Sequence, residues 1–497
     1  MTVSITAEIP VENPATGELI GMVPNHGPDD VASAVARASV AQPNWQAAGF
    51  AARAVVLDRC RRWFMGNSER IIDSIVAENG KPHEDAVIEV AYCMSAFAFW
   101  VKNARKYLAD EKVRSRSPFV LGRKLSVRYV PVGVVGVIGP WNNPLLNSFG
   151  DAIPALAAGN AVVLKPSEIT PLTALLMAEM ARDCGVPDGV FTVITGDGRT
   201  GAALVDHVDF VMFTGSTRTG RTIAARAGDR LIPVALELGG KDPLIVLRDA
   251  DLERAANLAV YSALQNTGQT CTSTERVYVE EPVYEEFVAK VVTKVQAIRQ
   301  GVSTALGTVD VGPMTFPPQI ELVEQHVREA IDKGARALVG GRRKPGTDRY
   351  FEPTVLVDVD HSMSCMRKET FGPTIPIMKV RDAAEAIRLA NDTDYGLQAS
   401  VYGGDVGNAS AVGAQLRAGV VTINDSQSNY LALDLPMGGW GSSGLGARHG
   451  AEGIRKYTRK QAVMLNPHPT KSELHQMPFK SRNYRLIMKL VRLLYGR

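Results

Sequence analysis

The run Val132-Gly133-Val134-Val135-Gly136-Val137-Ile138 is continuous, apolar and rich in β-branched residues. That composition is typical of a parallel strand buried on both faces of a sheet. Beyond it, strand and helix patterns alternate as far as residue 236. The predicted strands cover residues 161–164, 190–194, 210–213 and 233–236, and the predicted helices cover residues 172–184, 200–206 and 218–228. Repeated β-α-β units of this kind predict a doubly wound parallel sheet.

A second alternating set lies between residues 243 and 436. Its predicted strands include residues 244–246, 277–279 and 400–402, and its predicted helices cover residues 250–265 and 283–299. We therefore expect an α/β protein with two doubly wound parallel-sheet domains. Before both sets, residues 29–109 show a helical pattern, in which Val31, Ala34, Val35 and Ala38 form one apolar stripe.

Composition narrows the class of protein. The 497 residues are 45% apolar and 22% charged, as in an ordinary globular protein, and a net charge of +3 is too small to indicate a nucleic-acid partner. Five scattered cysteines and the lack of any His, Cys, Asp or Glu cluster with ligand spacing predict free thiols and no metal. The N-terminus has no signal-peptide pattern, so we expect a cytoplasmic protein.

Two motifs carry reactive groups, one at the end of the first alternating set and one inside the second. The first is Glu237-Leu238-Gly239-Gly240-Lys241, and the second is Gly268-Gln269-Thr270-Cys271-Thr272. A thiol is a strong nucleophile, and a carboxylate can act as a base on a proton or a water. Most cysteines are buried structural thiols, but Cys271 is flanked by threonines rather than by apolar residues. The pattern favours a nucleophilic Cys271.

Two glycine-containing loops are candidates for binding a dinucleotide. Gly196-Asp197-Gly198-Arg199-Thr200-Gly201 matches a Rossmann phosphate loop, although no acidic ribose partner follows at the expected distance. Phe213-Thr214-Gly215-Ser216-Thr217 also joins a strand to a helix, where free N–H groups can bind an anion. The second loop is the better candidate, and plain N-capping by Ser216 or Thr217 is the alternative explanation for it.

These motifs resemble the NAD(P)-dependent aldehyde dehydrogenase superfamily, in its hydrolytic branch. Matching segments run from residue 13 to about residue 457. The resemblance implies an aldehyde dehydrogenase-like fold with an oligomerisation hairpin. It implies catalytic roles for Cys271, Glu237, Asn142 and Lys165. It also implies cofactor contacts at Ile138, Pro140, Trp141, Lys165, Ser167, Glu168, Gly196, Thr214, Gly215, Ser216, Leu238, Glu369 and Phe371.

By this resemblance, the Cys271 thiolate attacks an aldehyde while Asn142 and the backbone N–H of Cys271 hold the oxyanion. Hydride passes to the nicotinamide ring, and Glu237 activates the water that hydrolyses the remaining thioester. An unperturbed cysteine has a pKa of about 8.5, so either its pKa is lowered locally or Glu237 removes its proton. Members that acylate coenzyme A generally lack the glutamate, so Glu237 favours hydrolysis. A catalytically silent relative would be expected to have lost one of these residues.

The resemblance also bears on the cofactor and the substrate. It places Lys165 and Glu168 at the adenosine ribose, where a carboxylate repels a 2′-phosphate and favours NAD, with NADP possible. The expected tunnel segments, residues 143–150, 270–274 and 425–436, contain no lysine or arginine. A carboxylated substrate needs a cation, so we expect a neutral aliphatic or aromatic aldehyde. The alternatives are a succinate-semialdehyde-type and a coenzyme A-acylating enzyme.

The expected domains follow from these assignments. Residues 1–112 and 132–238 form the cofactor-binding domain, and residues 239–436 form the catalytic domain. Residues 113–131 and 458–472 form oligomerisation strands, because residues 112–128 read as a strand pair and the family's hairpin here joins subunits. We expect a homodimer or homotetramer.

The last predicted element is a basic amphipathic tail over residues 473–497. Arg482, Arg485, Lys489 and Arg492 recur at three- and four-residue steps on one helical face, opposite an apolar face. A helix over residues 482–495 would be about 21 Å long, too short and too charged to span a bilayer. It either docks on the body or on a neighbouring subunit, or it lies on an anionic membrane surface at the inner face of the membrane.

Overall fold

The computed structural model describes residues 8–117 and 120–496. The chain divides into two compact units: Met1–Leu108 with Pro131–Arg459, and Ala109–Val130 with Lys460–Arg497, each in its described part. Residues 1–7, 118, 119 and 497 lie outside the described residues. Small parts of the predicted cofactor-binding domain, hairpin and tail, including Arg497, therefore fall there too.

The described strands and helices are numbered here in chain order. The strands are β1 Glu8–Glu12, β2 Leu19–Pro24, β3 Glu111–Val113, β4 Lys124–Pro131, β5 Val134–Ile138, β6 Ala161–Lys165, β7 Phe191–Val193, β8 Phe210–Thr214, β9 Val234–Glu237, β10 Asp242–Val246, β11 Thr274–Glu280, β12 Arg336–Val339, β13 Thr354–Val357, β14 Thr374–Val380, β15 Gln398–Tyr402, β16 Val420–Ile423, β17 Gly444–Leu445 and β18 Thr458–Leu465. The helices are α1 Pro28–Ala47, α2 Gly49–Gly66, α3 Ser68–Asn79, α4 His83–Leu108, α5 Gly150–Ala158, α6 Leu172–Asp183, α7 Gly198–His207, α8 Thr217–Asp229, α9 Leu252–Leu264, α10 Tyr284–Gln296, α11 Pro317–Asp332, α12 Ser364–Arg367, α13 Ala383–Ala390, α14 Val406–Gly413, α15 Gly450–Arg455 and α16 Ser481–Tyr495.

The first sheet has six strands in the order β17-β9-β8-β5-β6-β7. All described pairs in it are parallel except β17 with β9. Strand β5 is buried at every position, as predicted for a parallel strand covered on both faces. The chain leaves β5 toward β6 on one side and returns to β8 on the other. A crevice forms at the carboxyl ends of strands where the order reverses in this way, and ligands bind there.

The second sheet has seven strands in the order β12-β13-β14-β11-β10-β15-β16, and only the β12 pair is antiparallel. Together the two sheets confirm the predicted α/β class with parallel sheets. The division of this unit into the two expected domains stays a prediction.

Two helices begin at a different residue from the one that the apolar periodicity of the sequence predicted, because a side chain caps each of them. Helix α9 begins at Leu252 rather than at residue 250, because the Asp251 side chain accepts hydrogen bonds from the N–H groups of Glu253 and Arg254. In the same way, Asp197 caps α7, so this helix begins at Gly198 rather than at residue 200. A capping side chain satisfies N–H groups that have no partner inside the helix.

The second unit holds a three-stranded sheet in the order β18-β4-β3 and the helix α16. The strand pair predicted over residues 112–128 is confirmed by β3 and β4, and the predicted tail helix by α16. Within this unit Arg123 forms an ion pair with Glu473 at 2.6 Å. None of the helices in the described part of the chain combines the length and the apolar character needed to cross a bilayer.

Candidate active site

A strained turn positions Cys271 just before β11. Asn266, Thr267 and Gly268 all have positive φ, at 51°, 61° and 69°. This conformation is costly for a β-branched residue such as Thr267, so the surrounding structure must hold the turn. The Asp85 carboxylate does so by accepting a hydrogen bond from the Asn266 N–H at 2.9 Å. Strain of this kind concentrates where a side chain must be presented in one orientation.

The Asn142 side chain lies against the same turn. Its Nδ2 donates to the backbone oxygen of Gln269 at 2.8 Å, two residues before Cys271. The Gln269 side chain is itself held by Thr315, whose N–H donates to Gln269 Oε1 at 2.8 Å. One of the two Nδ2 hydrogens of Asn142 is thus used in this contact, and a second remains to donate to a ligand.

A buried ion pair between Lys81 and Glu89 holds the backbone of Asn142. Lys81 Nζ lies 2.6 Å from Glu89 Oε1, and it also donates to the Asn142 backbone oxygen at 2.8 Å. The other oxygen of Glu89 accepts hydrogen bonds from the N–H groups of Leu145 and Leu146, at the start of a π-helical turn, Leu145–Phe149. Sequence reasoning missed Lys81 and Glu89. The sequence signal for Lys81 was a charged residue directly after Asn79-Gly80, at the end of a helix.

Glu237 ends β9 and is almost completely buried, with 2% of its surface exposed. Burial raises the pKa of its carboxyl, while Arg448, the next largest influence, lowers it. Burial also raises the pKa of the Cys271 thiol to about 12. Desolvation disfavours both charged forms, so neither group ionises as readily as it would in water. The sequence left two alternatives for activating Cys271, a locally lowered pKa and proton removal by Glu237. The structure raises the pKa of the thiol, so the first alternative does not apply to the free protein.

A cavity of about 760 Å³ opens at the switch point of the first sheet. It brings together fifteen predicted site residues: Ile138, Pro140, Trp141, Asn142, Lys165, Ser167, Glu168, Thr214, Gly215, Ser216, Glu237, Leu238, Cys271, Glu369 and Phe371. Gly196 is not among the described lining residues. Instead, a Cβ on Gly196 would meet the Thr200 side chain, at 2.0 Å from its Oγ1.

The N-terminus of α8 faces this cavity. Gly215, Ser216 and Thr219 line it, and the helix begins at Thr217. The Ser216 hydroxyl also caps the helix by accepting from the Thr219 N–H at 3.3 Å, so capping and anion binding are compatible here. Free N–H groups at a helix N-terminus suit a pyrophosphate.

Lys165 and Glu168 lie together at the wall of the same cavity. Lys165 Nζ is 3.6 Å from Glu168 Oε2 and donates to the Pro166 oxygen at 2.7 Å. The Glu168 side chain remains 45% exposed, so its oxygens are open to a ligand. A carboxylate beside an ammonium group can bind the hydroxyls of a sugar.

Glu369 and Phe371 line the same cavity. Glu369 Oε1 accepts from the Gly240 N–H at 3.0 Å, and the ring of Phe371 packs edge-on against Trp141 at 5.6 Å. A Cβ on Gly239 would lie 2.5 Å from the Glu369 carboxylate, so only glycine allows this close approach. Phe371 has a positive φ of 53°, so a strained residue lines this cavity.

A second cavity, of about 330 Å³, also reaches Cys271, and most of its lining residues differ from those of the larger cavity. It is lined by Asn143, Thr270 and Asp425, among others, and it shares Asn147 and Cys271 with the larger cavity. The thiol therefore lies where a dinucleotide-sized cavity and a smaller cavity meet.

Residues 2–463 match the sequence model of the aldehyde dehydrogenase family. The chain belongs to the aldehyde dehydrogenase family. It is an NAD(P)-dependent oxidoreductase that acts on an aldehyde. This membership agrees with the two cavities that meet at a thiol.

Several relatives of this aldehyde dehydrogenase are similar over almost its whole length. A protein of Mycolicibacterium smegmatis, provisionally named a succinate-semialdehyde dehydrogenase [NADP(+)], is 43% identical over 91% of this chain and 88% of its own. The 3,6-anhydro-alpha-L-galactose dehydrogenase of Streptomyces coelicolor is 41% identical over 92% of this chain and 93% of its own. The crystal structure of lactaldehyde dehydrogenase from Escherichia coli is similar with a TM-score of 0.89 and 36% identity, over 93% of this chain and 96% of that one.

Proposed function

We propose that this aldehyde dehydrogenase oxidises neutral aldehydes to carboxylic acids through a thioester on Cys271. In this proposal Glu237 activates the water that hydrolyses the thioester. The observation that supports this most is the position of Cys271 at the meeting point of the two cavities. The larger cavity has the size and the helix N-terminus that a dinucleotide needs, and the smaller one has the size of a modest organic substrate.

In the first step, the Cys271 sulfur attacks the aldehyde carbon. Because burial raises the pKa of this thiol, we propose that Glu237 removes its proton rather than that the thiol ionises unaided. The remaining Nδ2 hydrogen of Asn142 donates to the developing oxyanion, a contact that contributes roughly 3–4 kcal/mol to lowering the barrier.

The residues of the larger cavity fit NAD(P). In this proposal Ser216 and the α8 N-terminus hold the pyrophosphate, Lys165 and Glu168 hold the adenosine ribose, and Glu369 holds the nicotinamide ribose. When bound there, NAD(P) accepts the hydride that the substrate carbon loses. The proton that Glu237 took from the thiol first passes to solvent. Glu237 then takes a proton from water, the water oxygen attacks the thioester carbon, and the carboxylic acid leaves as the Cys271 sulfur recovers a proton from Glu237.

The lining of the smaller cavity supports a neutral substrate. Among its described lining residues there is no lysine or arginine, whereas Asp85, Glu89 and Asp425 contribute carboxyl groups. A carboxylated aldehyde placed there would meet like charge without a cation to bind it. We therefore propose neutral aliphatic or aromatic aldehydes. Succinate semialdehyde is the second candidate, because the Mycolicibacterium relative is named for it.

We propose NAD as the preferred cofactor, because the exposed Glu168 carboxylate would repel a 2′-phosphate. NADP is the second candidate. The name of the Mycolicibacterium relative includes NADP(+), and Arg218 and Arg226 line the same cavity as Glu168.

We further propose the domain roles expected above. In this proposal residues 1–112 and 132–238 bind the cofactor, and residues 239–436 carry the thiol. Residues 113–131 and 458–472 join subunits in a dimer or tetramer. Val113, Met464 and Leu465 on β3 and β18 are 44%, 59% and 54% exposed, and large exposed apolar side chains in one sheet favour a covered surface.

For the tail of residues 473–497 we propose a peripheral contact with an anionic membrane surface that helps to capture apolar aldehydes. No residue of α16 is buried, and Leu486, Leu490 and Leu494 on its apolar side are 46%, 40% and 47% exposed. Basic residues flank this apolar stripe, as in helices that lie in a membrane interface.

A panel of aldehydes assayed with NAD and with NADP, each with and without coenzyme A, tests the proposal. We expect neutral aldehydes to give the higher kcat/KM, NADH formation that does not need coenzyme A, and no turnover by Cys271→Ala. A higher kcat/KM for succinate semialdehyde would refute the neutral-substrate proposal. A requirement for coenzyme A would refute hydrolysis.

A further inference from the structure

A completely buried ion pair joins Arg448, just before α15, to Asp151 in the first turn of α5. Arg448 Nε and Nη2 donate to the two Asp151 oxygens at 2.9 and 2.7 Å, and both side chains are at most 4% exposed. Arg448 Nη2 also donates to Thr214 Oγ1, and Nη1 donates to the Tyr430 hydroxyl at 3.0 Å. The guanidinium is therefore fixed from three sides.

These contacts leave one N–H of Arg448 to account for. A guanidinium has five N–H groups, and four are bonded among the described residues. The fifth is on Nη1, and Nη1 lies 3.9 Å from Glu237 Oε2. This separation is an ion pair just beyond hydrogen-bond length. A movement of the carboxylate by about 1 Å would complete a charge-assisted hydrogen bond.

Glu237 has little else to stabilise its charge. Its Oε1 is buried without a hydrogen-bond partner among the described residues. A bare carboxylate in such a place would hold a proton at neutral pH and could not act as a base.

We propose that Arg448, anchored on Asp151, is a positioning residue that keeps the Glu237 carboxylate ionised and near the fifth N–H between turnovers. This inference rests on the proposed role of Glu237 in hydrolysis. An arginine suits the task because it does not give up its proton, so it cannot neutralise the base that it holds. Nothing in this role requires Arg448 to touch substrate, and it is not among the described lining residues of either cavity.

The other charged groups facing Glu237 come from neighbouring elements. Lys456, just after α15, favours the ionised form, although burial lowers its own pKa to about 8. Asp151 disfavours the ionised form and so offsets part of the effect of Arg448. The Cys271 thiol is neutral, since its pKa is raised. Arg448 is the described cation that lies within 4 Å of Glu237 and stays charged at all working pH values.

The test compares Arg448→Met with Arg448→Lys, which keeps the positive charge, and with Arg448→Met/Asp151→Leu, which removes both buried charges. The double variant guards against misfolding, because replacing a buried ion pair by apolar residues is often neutral for stability. Each variant is followed by the pH profile of kcat and by infrared titration of the Glu237 carboxyl, assigned by its absence in Glu237→Gln. The infrared measurement needs no turnover, so it remains informative if the proposed function is wrong.

In Arg448→Met we expect the acidic limb of the profile and the infrared titration to move together to higher pH, by about one unit or more. The double variant should move less, because the opposing Asp151 charge is also gone, and Arg448→Lys should lie closest to wild type. An Arg448→Met enzyme, or a folded double variant, with a wild-type carboxyl titration would overturn the proposal, whatever its rate. If wild type oxidises no aldehyde, the proposed function fails while the titration still decides the role of Arg448.

Discussion

Burial acts in the same direction on the two reactive side chains, since it raises the pKa of both the Cys271 thiol and the Glu237 carboxyl. The thiol must lose its proton to act, and so must the carboxyl, so activity should fall as the pH falls through the pKa of Glu237. Because that pKa is raised, the loss should begin at a higher pH than it would for a solvent-exposed glutamate.

Replacing Glu237 with glutamine should separate the two chemical steps. The amide cannot take a proton from water, so the thioester should accumulate. We expect a burst of NADH close to one equivalent per Cys271, slower than the first turnover of wild type because Glu237 no longer takes the thiol proton, followed by a steady rate lower by roughly 10²–10⁴-fold, the usual contribution of a general base. Stopped-flow absorbance measures both phases.

The matched control for this experiment is Glu237→Asp, which keeps a carboxylate at a shorter reach. It should recover part of the steady rate. A Glu237→Gln enzyme that turns over at the wild-type steady rate would remove Glu237 from the mechanism. A Glu237→Gln enzyme with no burst would mean that the thiol cannot react at all without Glu237, so that the first step depends on it completely.

Glu168 gives a prediction about cofactor choice. Two like charges about 4 Å apart in water repel each other by about 1 kcal/mol, so Glu168→Ser should raise the ratio of NADP to NAD use by about five- to tenfold. The ratio of kcat/KM values for the two cofactors measures this. Glu168→Gln is the isosteric control, and it should shift the ratio in the same direction. Unchanged selectivity in both would mean that the ribose is held elsewhere.

At the scale of elements, the strands of the first sheet could be predicted because each is a short apolar run between turn residues. Helix boundaries were less predictable, because a cap such as Asp251 decides where a helix begins, and periodicity does not register it. The positive φ of Thr267 was not predictable, because a β-branched residue rarely adopts the left-handed conformation, whereas Asn266 adopts it more readily.

Helix α16 gives the prediction at this scale. Each lysine or arginine near an anionic surface contributes about 1 kcal/mol of binding. We therefore expect the full-length protein to sediment with phosphatidylserine-containing vesicles at low salt and to be released at high salt. A truncated form ending at Thr470 should stay in solution.

A matched variant with Arg482, Arg485, Lys489 and Arg492 changed to glutamine separates charge from apolar contact. It keeps the apolar face, and it should lose binding to anionic vesicles by at least tenfold. Equal sedimentation of the full-length and truncated forms would contradict the membrane proposal. The apolar face would then belong to another protein surface.

Across the whole molecule, the residues predicted to form the site come from several separate segments of the chain, and a single cavity collects fifteen of them. These residues could be predicted from the sequence, because they belong to motifs that are recognised by their order along the chain. The buried charges behind them could not be assigned a role, because a motif does not say which charges face each other. Asp151 did carry a signal, since it is the single charged residue between Arg128 and Lys165. An isolated charge in so long an uncharged stretch needs a buried partner, which is Arg448.

The two cavities that meet at Cys271 also bear on the kinetics. Each approaches the sulfur through its own lining, and the described residues common to both are Asn147 and Cys271. Neither ligand has to pass through the space that the other occupies. We therefore expect substrate and dinucleotide to be able to add in either order, and the acid product to be able to depart while the reduced dinucleotide is still bound.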